Sequence, residues 1–304
     1  MSNETKKNFL AELKQRFGEL HKLEGNLSLY DLGKGAGRIY IRYSKVHARK
    51  SAFFGLRIDD LRKLEGRASA ICFLWEGQTQ PLIVPFSSYE EVFHSIEPAK
   101  DGQYKVQVYP YSSGSELYIA GAGRFNIEAW FGWQQLERLL DESRLTAPVE
   151  LSHSQVQTLL GSIGATKGYH IWIPDNDRGR LDWTIASKFE FGLSVPPAFE
   201  TIRDVFSEID VMWLERGSMN LRALFEVEHT TPIYSALLRF NDLHLTFPSI
   251  KTTYNVVARE DRRGLFVRQL KRPTFKVSKL NEYCTFLEYS EVLGWHRRTV
   301  SSGQ

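Results

Sequence analysis

The stretch from Ser207 to Pro232, SEIDVMWLERGSMNLRALFEVEHTTP, constrains the fold of this chain more than any other. Two apolar runs, IDVMWL and LRALFEVE, flank a turn at Arg216–Gly217, which is the pattern of two paired strands. Asp210 opens the first strand. Glu226 and Glu228 lie two apart on the second, so the pleat sends both to one face while Phe225 and Val227 face apolar packing. A hairpin sets Asp210 beside the two glutamates. At about 6.5 Å and an effective dielectric near 20, each pair of these carboxylates repels by about 2.5 kcal/mol. A fold tolerates that if the face is solvated, if a proton is shared, or if a divalent cation sits there. Oxygen-only ligands suit Mg2+ or Mn2+ rather than zinc. A metal held by acids near basic residues can activate a water and neutralise phosphate charge, the chemistry of phosphodiester cleavage.

The surroundings extend the pattern. Ser154 is positioned to cap a helix, QVQTLLGSIG, that ends near Gly164 and Gly168, and the strand YHIWIP follows. An irregular segment with DNDRGR and the pair Pro196–Pro197 leads to a short helix near FETIRDVF. Beyond the two acidic strands, Thr231 before Pro232 reads as an N-cap with proline at the first helical position. The helix PIYSALLRFNDLHL, the strand TTYNVVA and the helix DRRGLFVRQLK come next. The order over residues 150–275 is helix, three strands, helix, strand, helix.

This arrangement resembles the PD-(D/E)xK superfamily of restriction-endonuclease-like nucleases. The resemblance rests on that order, on Asp210 at the second strand and on Glu226-Val227-Glu228 on the third. It implies that Asp210 and Glu226 bind Mg2+, with Mn2+ as an alternative. The usual third residue is a lysine, and Glu228 stands in its place. Glu228 then acts as general base or as a ligand to a second metal, and Arg239 or Lys188 supplies the missing positive charge. The resemblance also implies a type II restriction endonuclease that hydrolyses double-stranded DNA to 5′-phosphate ends, works beside a modification enzyme and forms a homodimer, at least on DNA. A DNA-binding regulator or sensor on the same fold, and a nuclease for modified DNA, are the alternatives.

Other residues carry less. His229 turns away from the acids by strand alternation and reads as a strand-end histidine. Asp175, Asn176, Asp177 and Arg178 suit a turn, or else an additional acid or a loop entering a groove. Glu200 and Glu208 are further acids within reach of the same sheet. The glycines Gly33, Gly35 and Gly37 lead into a strand and form no phosphate loop.

The first half reads differently. Phe9, Leu10, Leu13, Phe17 and Leu20 recur at helical spacing over about residues 5–22. Short strands follow from about 27 to 131: SLYDL, RIYIRY, AICFLW, PLIVPF, YKVQVYP, ELYIAG and FNIEAWF, which predicts a small β-rich barrel or sandwich. A helix at 132–141 closes this half, and DESRLTAPVELSHS reads as a linker. The expectation is an α+β chain of two domains: a β-rich small barrel over 1–145 that recognises DNA, and an α/β nuclease domain with a mixed central sheet over 150–304. The first domain is loosely similar to B3-like DNA-recognition domains.

Charge fits a polyanionic partner locally rather than globally. The net charge is only +3, but Leu32 to Ile58 holds seven basic residues and no acid. Arg38, Arg42, Lys45, Arg49 and Lys50 of that run, with Arg259, Arg262 and Arg263 of a second basic stretch, are the candidate DNA-backbone contacts. With 42% hydrophobic and 25% charged residues, the 304-residue chain has material for real cores and no run long enough for a membrane-spanning helix. Cys72 and Cys284 are too few for a disulfide framework or a zinc cluster, and the polar N-terminus lacks a secretory h-region. Both features predict a cytoplasmic protein.

Overall fold

The computed structural model describes residues 4–23, 26–33, 37–45, 51–111, 114–144, 150–192, 196–250 and 252–302. The chain divides into two compact units, residues 1–145 and 146–304. The α+β class holds in both, and among the described residues no helix is long and apolar enough to cross a membrane.

Unit 1 begins with the helix Glu4–Phe17, shorter than the apolar spacing predicts because Gly18 turns the chain at φ 84° and Leu20 enters a strand. Among the described residues nine strands follow: β1 (Leu20–Lys22), β2 (Leu29–Leu32), β3 (Gly37–Ser44), β4 (Ala52–Arg57), β5 (Ser69–Trp75), β6 (Leu82–Pro85), β7 (Gln103–Tyr111), β8 (Gly114–Ile119) and β9 (Gly123–Asn126). They pair into two sheets, β1-β2-β3-β5-β6 and β4-β7-β8-β9. All predicted strands form, although FNIEAWF keeps only its first two residues in β9 before a 3-10 turn at Glu128–Trp130. β4 lies within the basic run from Leu32 to Ile58, at residues for which no strand is predicted. Its Ala52, Phe54 and Leu56 enter a core shared with Tyr40, Phe73, Val106 and Leu117 of both sheets. The other face of the five-stranded sheet buries Ile39, Ile41, Ala70, Cys72 and Leu74 under Phe9 and Leu13 of the first helix and Leu136, Leu139 and Leu140 of the helix Gln134–Arg144.

Unit 2 is one mixed sheet between helices. Its strands are β10 (His170–Trp172), β11 (Val211–Leu214), β12 (Leu221–Glu228), β13 (Thr253–Ala258) and β14 (Cys284–Glu288), in that spatial order. The first three pair antiparallel, while β12, β13 and β14 run parallel. Parallel neighbours need crossovers, supplied by the helix Ile233–Thr246 between β12 and β13 and by the short helices after Arg263 between β13 and β14. One face packs Val211, Trp213, Ala223, Phe225 and Val227 against Val156, Leu159, Leu160 and Ile163 of the helix His153–Thr166 and Trp295 of the helix Tyr289–Ser302. The other face packs Met212, Leu214 and Leu224 against Ile233, Leu237 and Phe240. A Cβ built on Gly164 would sit 2.4 Å from Trp213 Nε1, so glycine is what lets the first helix lie this close to β11.

Two predicted caps differ. The helix starts at His153 because Ser152, not Ser154, closes a capping box: Ser152 Oγ accepts from Gln155 N at 3.2 Å while Gln155 Oε1 accepts from Ser152 N at 2.9 Å. Thr231 does not cap the next helix; its hydroxyl donates to Glu228 instead, and Pro232 holds the N-cap position with no side-chain bond. β14 and the last helix lie beyond the elements predicted from the sequence. Both cysteines are buried and free.

Candidate active site and its relatives

The strand pair converges as the acidic pattern predicts. Asp210 lies one residue before β11, next to the Val211–Phe225 register pair. Its Oδ2 accepts from Val227 N at 2.7 Å, which pins the carboxylate against the backbone between Glu226 and Glu228. Glu226 is wholly buried and Glu228 nearly so, on the face that carries Leu224.

Beside the three ways that solvation, a shared proton or a divalent cation offer these acids, a protein cation offsets their charge. The helix Ile233–Thr246 brings Arg239 over β12, where Nε and Nη2 donate to Glu226 Oε1 and Oε2 at 2.6 and 2.7 Å. The same guanidinium lies 4.0 Å from Glu228 Oε1 and 3.7 Å from Glu208 at the surface. A planar fork matches a carboxylate in this way where an ammonium cannot. Burial pushes the Glu226 carboxyl up to about 8 against the pull of Arg239, and Asp210 and Glu228 push it the same way. Burial also raises Glu228, opposed by the Thr231 hydroxyl and by Arg239. The bonds to Glu226 drive the arginine further toward its charged form.

Asp210 faces a second set of groups. Its Oδ1 lies 3.1 Å from His153 Nε2, at the first turn of the helix His153–Thr166. Asp177, in the short helix Asp175–Arg178 after β10, stands close by, and donor atoms of His153, Asp177 and Asp210 all lie within 4.8 Å of one another. Gln157, one turn along from His153, donates to Asp177 Oδ2 at 3.0 Å and reaches the Asp210 carbonyl at 3.4 Å. Burial lowers His153, but its bond to Asp210 and the charges of Asp210 and Asp177 outweigh that and raise it. His153 and Gln157 had no sequence signal beyond their place at the start of a capped helix. Asp177 carries two readings in the sequence, a turn residue and an additional acid, and it stands with the acid.

The remaining candidates separate into free and committed groups. Lys188 is exposed and Glu200 pairs with Arg203, so neither enters the acid cluster. His229 pairs with the Tyr289 hydroxyl at 3.3 Å. Arg262 Nη1 donates to the Glu228 carbonyl at 2.7 Å and Nη2 to the Thr231 carbonyl, which clamps the turn after β12. Arg263 is held by Glu288 at 2.6 Å, and exposed Arg259 lies 3.6 Å from Glu150 and Asp261. In unit 1 Arg38 is buried, binds both oxygens of Asp31 at 2.6 and 3.1 Å and donates to the Lys63 carbonyl, so its charge is spent inside the fold. Arg42 is half-buried over the Tyr40 ring and Lys45 is exposed. Arg49 and Lys50 lie outside the described residues. Lys6 and Lys22 join Arg42: burial and the charges of these two neighbours lower the Lys6 ammonium, so three cations share one region.

Residues 136–297, more than half of the chain, match the family described as Type II restriction enzyme NmeDI C-terminal domain. The curated protein Type II restriction enzyme NmeDI of Neisseria meningitidis serogroup C is 30% identical over 144 residues, which are 44% of this chain and 40% of that enzyme. The match therefore spans about two fifths of the relative's length. No solved structure matches the chain at a significant level. The acid cluster, Arg239 and His153 all fall within the matched residues, and the chain belongs to the family of the NmeDI C-terminal domain.

Proposed function

We propose that this protein is a Mg2+-dependent double-stranded DNA endonuclease of type II restriction kind, with a hydrolytic centre at Asp210, Glu226 and Glu228. The observation that carries the reading is the convergence of these three carboxylates under Arg239, inside the residues matched to a restriction-enzyme domain. The sheet order and the Asp210…Glu226-x-Glu228 pattern support a PD-(D/E)xK variant.

The residues fit a hard divalent cation. Asp210 is partly exposed, and Glu226 keeps lone-pair sites beyond the two that Arg239 occupies. Asp210 and Glu226 would hold Mg2+ or Mn2+, which when bound would lower the pKa of a water and neutralise phosphate charge. Burial raises the Glu228 carboxyl, which favours a general base that orients and deprotonates the attacking water. Arg239 stands for the family lysine: a phosphate entering beside it competes with Glu226 for the guanidinium, relieving the carboxylate as the substrate arrives. Arg42, Lys45, Lys6 and Lys22, with Arg49, Lys50 and Arg259, are the proposed backbone contacts, and the B3-like reading of unit 1 belongs to the same proposal. Arg38, Arg262 and Arg263 serve the fold. A homodimer on DNA would present one centre to each strand.

Incubation with unmethylated phage DNA in Mg2+ tests this. Discrete fragments that vanish in EDTA are expected. Intact DNA in every condition, with a mobility shift that persists in EDTA, would leave a DNA-binding regulator or sensor.

A further inference from the structure

We propose that His153, Asp177 and Asp210 form a mixed nitrogen–oxygen site for a divalent transition metal of the Mn2+ class. Three facts meet there. The first is spacing: two donors at about 2.1 Å from one ion lie about 3.0 Å apart at right angles and about 4.2 Å apart when opposite. His153 Nε2 and Asp210 Oδ1 are 3.1 Å apart, and the third donor, from Asp177, completes a group within 4.8 Å. The second is access. The side chains are 39%, 24% and 15% exposed for His153, Asp177 and Asp210, so an ion can enter without the fold opening.

The third is Gln157. It is fully buried, and its amide nitrogen holds both Asp177 Oδ2 and the Asp210 carbonyl, as groups behind a ligand orient the ligand. Its Oε1 is buried and has no hydrogen-bond partner. It is left for a donor that the described residues do not supply. Two oxygens with an imidazole nitrogen suit Mn2+, whereas Mg2+ prefers oxygen alone. His153 sits at a helix start, where the helix dipole opposes a cation. The two carboxylates offset that field.

The site shares Asp210 with the hydrolytic reading but is tested by binding, so its failure and the failure of that reading are distinguishable. The probe is Mn2+ chloride titrated into the full chain, followed by loss of the free aqua-ion signal in electron paramagnetic resonance. Pulsed measurement of nitrogen hyperfine coupling on the bound ion follows. The unaltered protein is expected to bind Mn2+ with one imidazole nitrogen coupled. His153→Ala should abolish that coupling, and His153→Ala and Asp177→Asn should each weaken binding about tenfold or more. Glu226→Gln should keep the coupling. Circular dichroism of each variant separates lost binding from lost folding, and the nitrogen signal of the unaltered chain needs no variant. No binding, bound Mn2+ without nitrogen coupling, or unchanged affinity in folded His153→Ala and Asp177→Asn would overturn the proposal.

Discussion

Removing Arg239 isolates the force that lets three acids share one strand end. In Arg239→Met the alkyl stem is largely kept while Glu226, 1% exposed at its side chain, loses both hydrogen bonds of its carboxylate. Breaking a buried pair by deleting one partner costs about 3–5 kcal/mol. Arg239 is itself 24% exposed, so water reaches the gap and the lower end applies, about 3 kcal/mol. The contact to Glu208 adds almost nothing, because that glutamate is exposed. For a unit of this size the loss lowers Tm by about 6–12 °C. In Arg239→Met/Glu226→Gln no charge is left stranded, and the double variant should regain about 2 kcal/mol relative to the sum of the single changes. Urea and thermal unfolding of all four proteins at about pH 9, above the Glu226 value of about 8 so that the pair is ionised, followed by circular dichroism, give the cycle. Additive effects, or a single-variant cost below about 0.5 kcal/mol, would show that Arg239 is not what neutralises this face.

Three other outcomes follow from the packing. Gly164→Ala should destabilise the protein by about 1–3 kcal/mol in urea, because the new methyl meets Trp213 Nε1 at 2.4 Å and Ile171 Cδ1 at 2.6 Å. Ser152→Ala removes one half of the capping box and should cost about 1 kcal/mol, while Ser154→Ala should cost less, measured as the shift in urea midpoint. His296 is half-buried beside Ser162 at 3.2 Å, and burial, then Arg297, lowers its pKa from 6.5. Below pH 6.5 the unfolded chain binds a proton that the folded one resists, so this histidine removes stability as pH falls through 6.5 and its effect is absent above. A series of melting temperatures from pH 5 to 8 should show a shallower acid-side fall in His296→Gln.

Local signals were readable in the sequence, and distant ones were not. The alternation in LRALFEVE fixes β12 and its acidic face, and the apolar run IDVMWL fixes β11, because both depend on neighbours in the chain. β4 was hidden: AFFGLR follows a run of basic residues, and its inward Phe54 and Leu56 make sense only against β7, which begins at Gln103, about 50 positions on. Among the described residues β14 pairs with β13 alone, in parallel, so no hairpin turn announces it. At the site, Glu-x-Glu spacing was visible, and Arg239 could be named as a source of charge. Its bidentate grip on Glu226 could not be read, since thirteen residues and a helix turn set that geometry. His153 is further still: it reaches Asp210 across 57 positions only because the helix His153–Thr166 lies over the sheet. The two misplaced caps have a different cause. Ser152 and Ser154 both suit an N-cap, and the partner Gln155 decides between them, while Thr231 found a buried carboxylate to bind before it found a helix end.

The sharpest test of a hydrolytic centre at these acids is cleavage and binding measured together for Asp210→Asn. The substitution keeps shape, and its amide oxygen can still accept from Val227 N, while one charge is lost from the cluster. With Mg2+ present, cleavage of unmethylated phage DNA should fall below detection, while a mobility shift on the same DNA stays within about threefold of the unaltered protein. Cleavage that persists at full rate in a folded Asp210→Asn protein would contradict the assignment of the site.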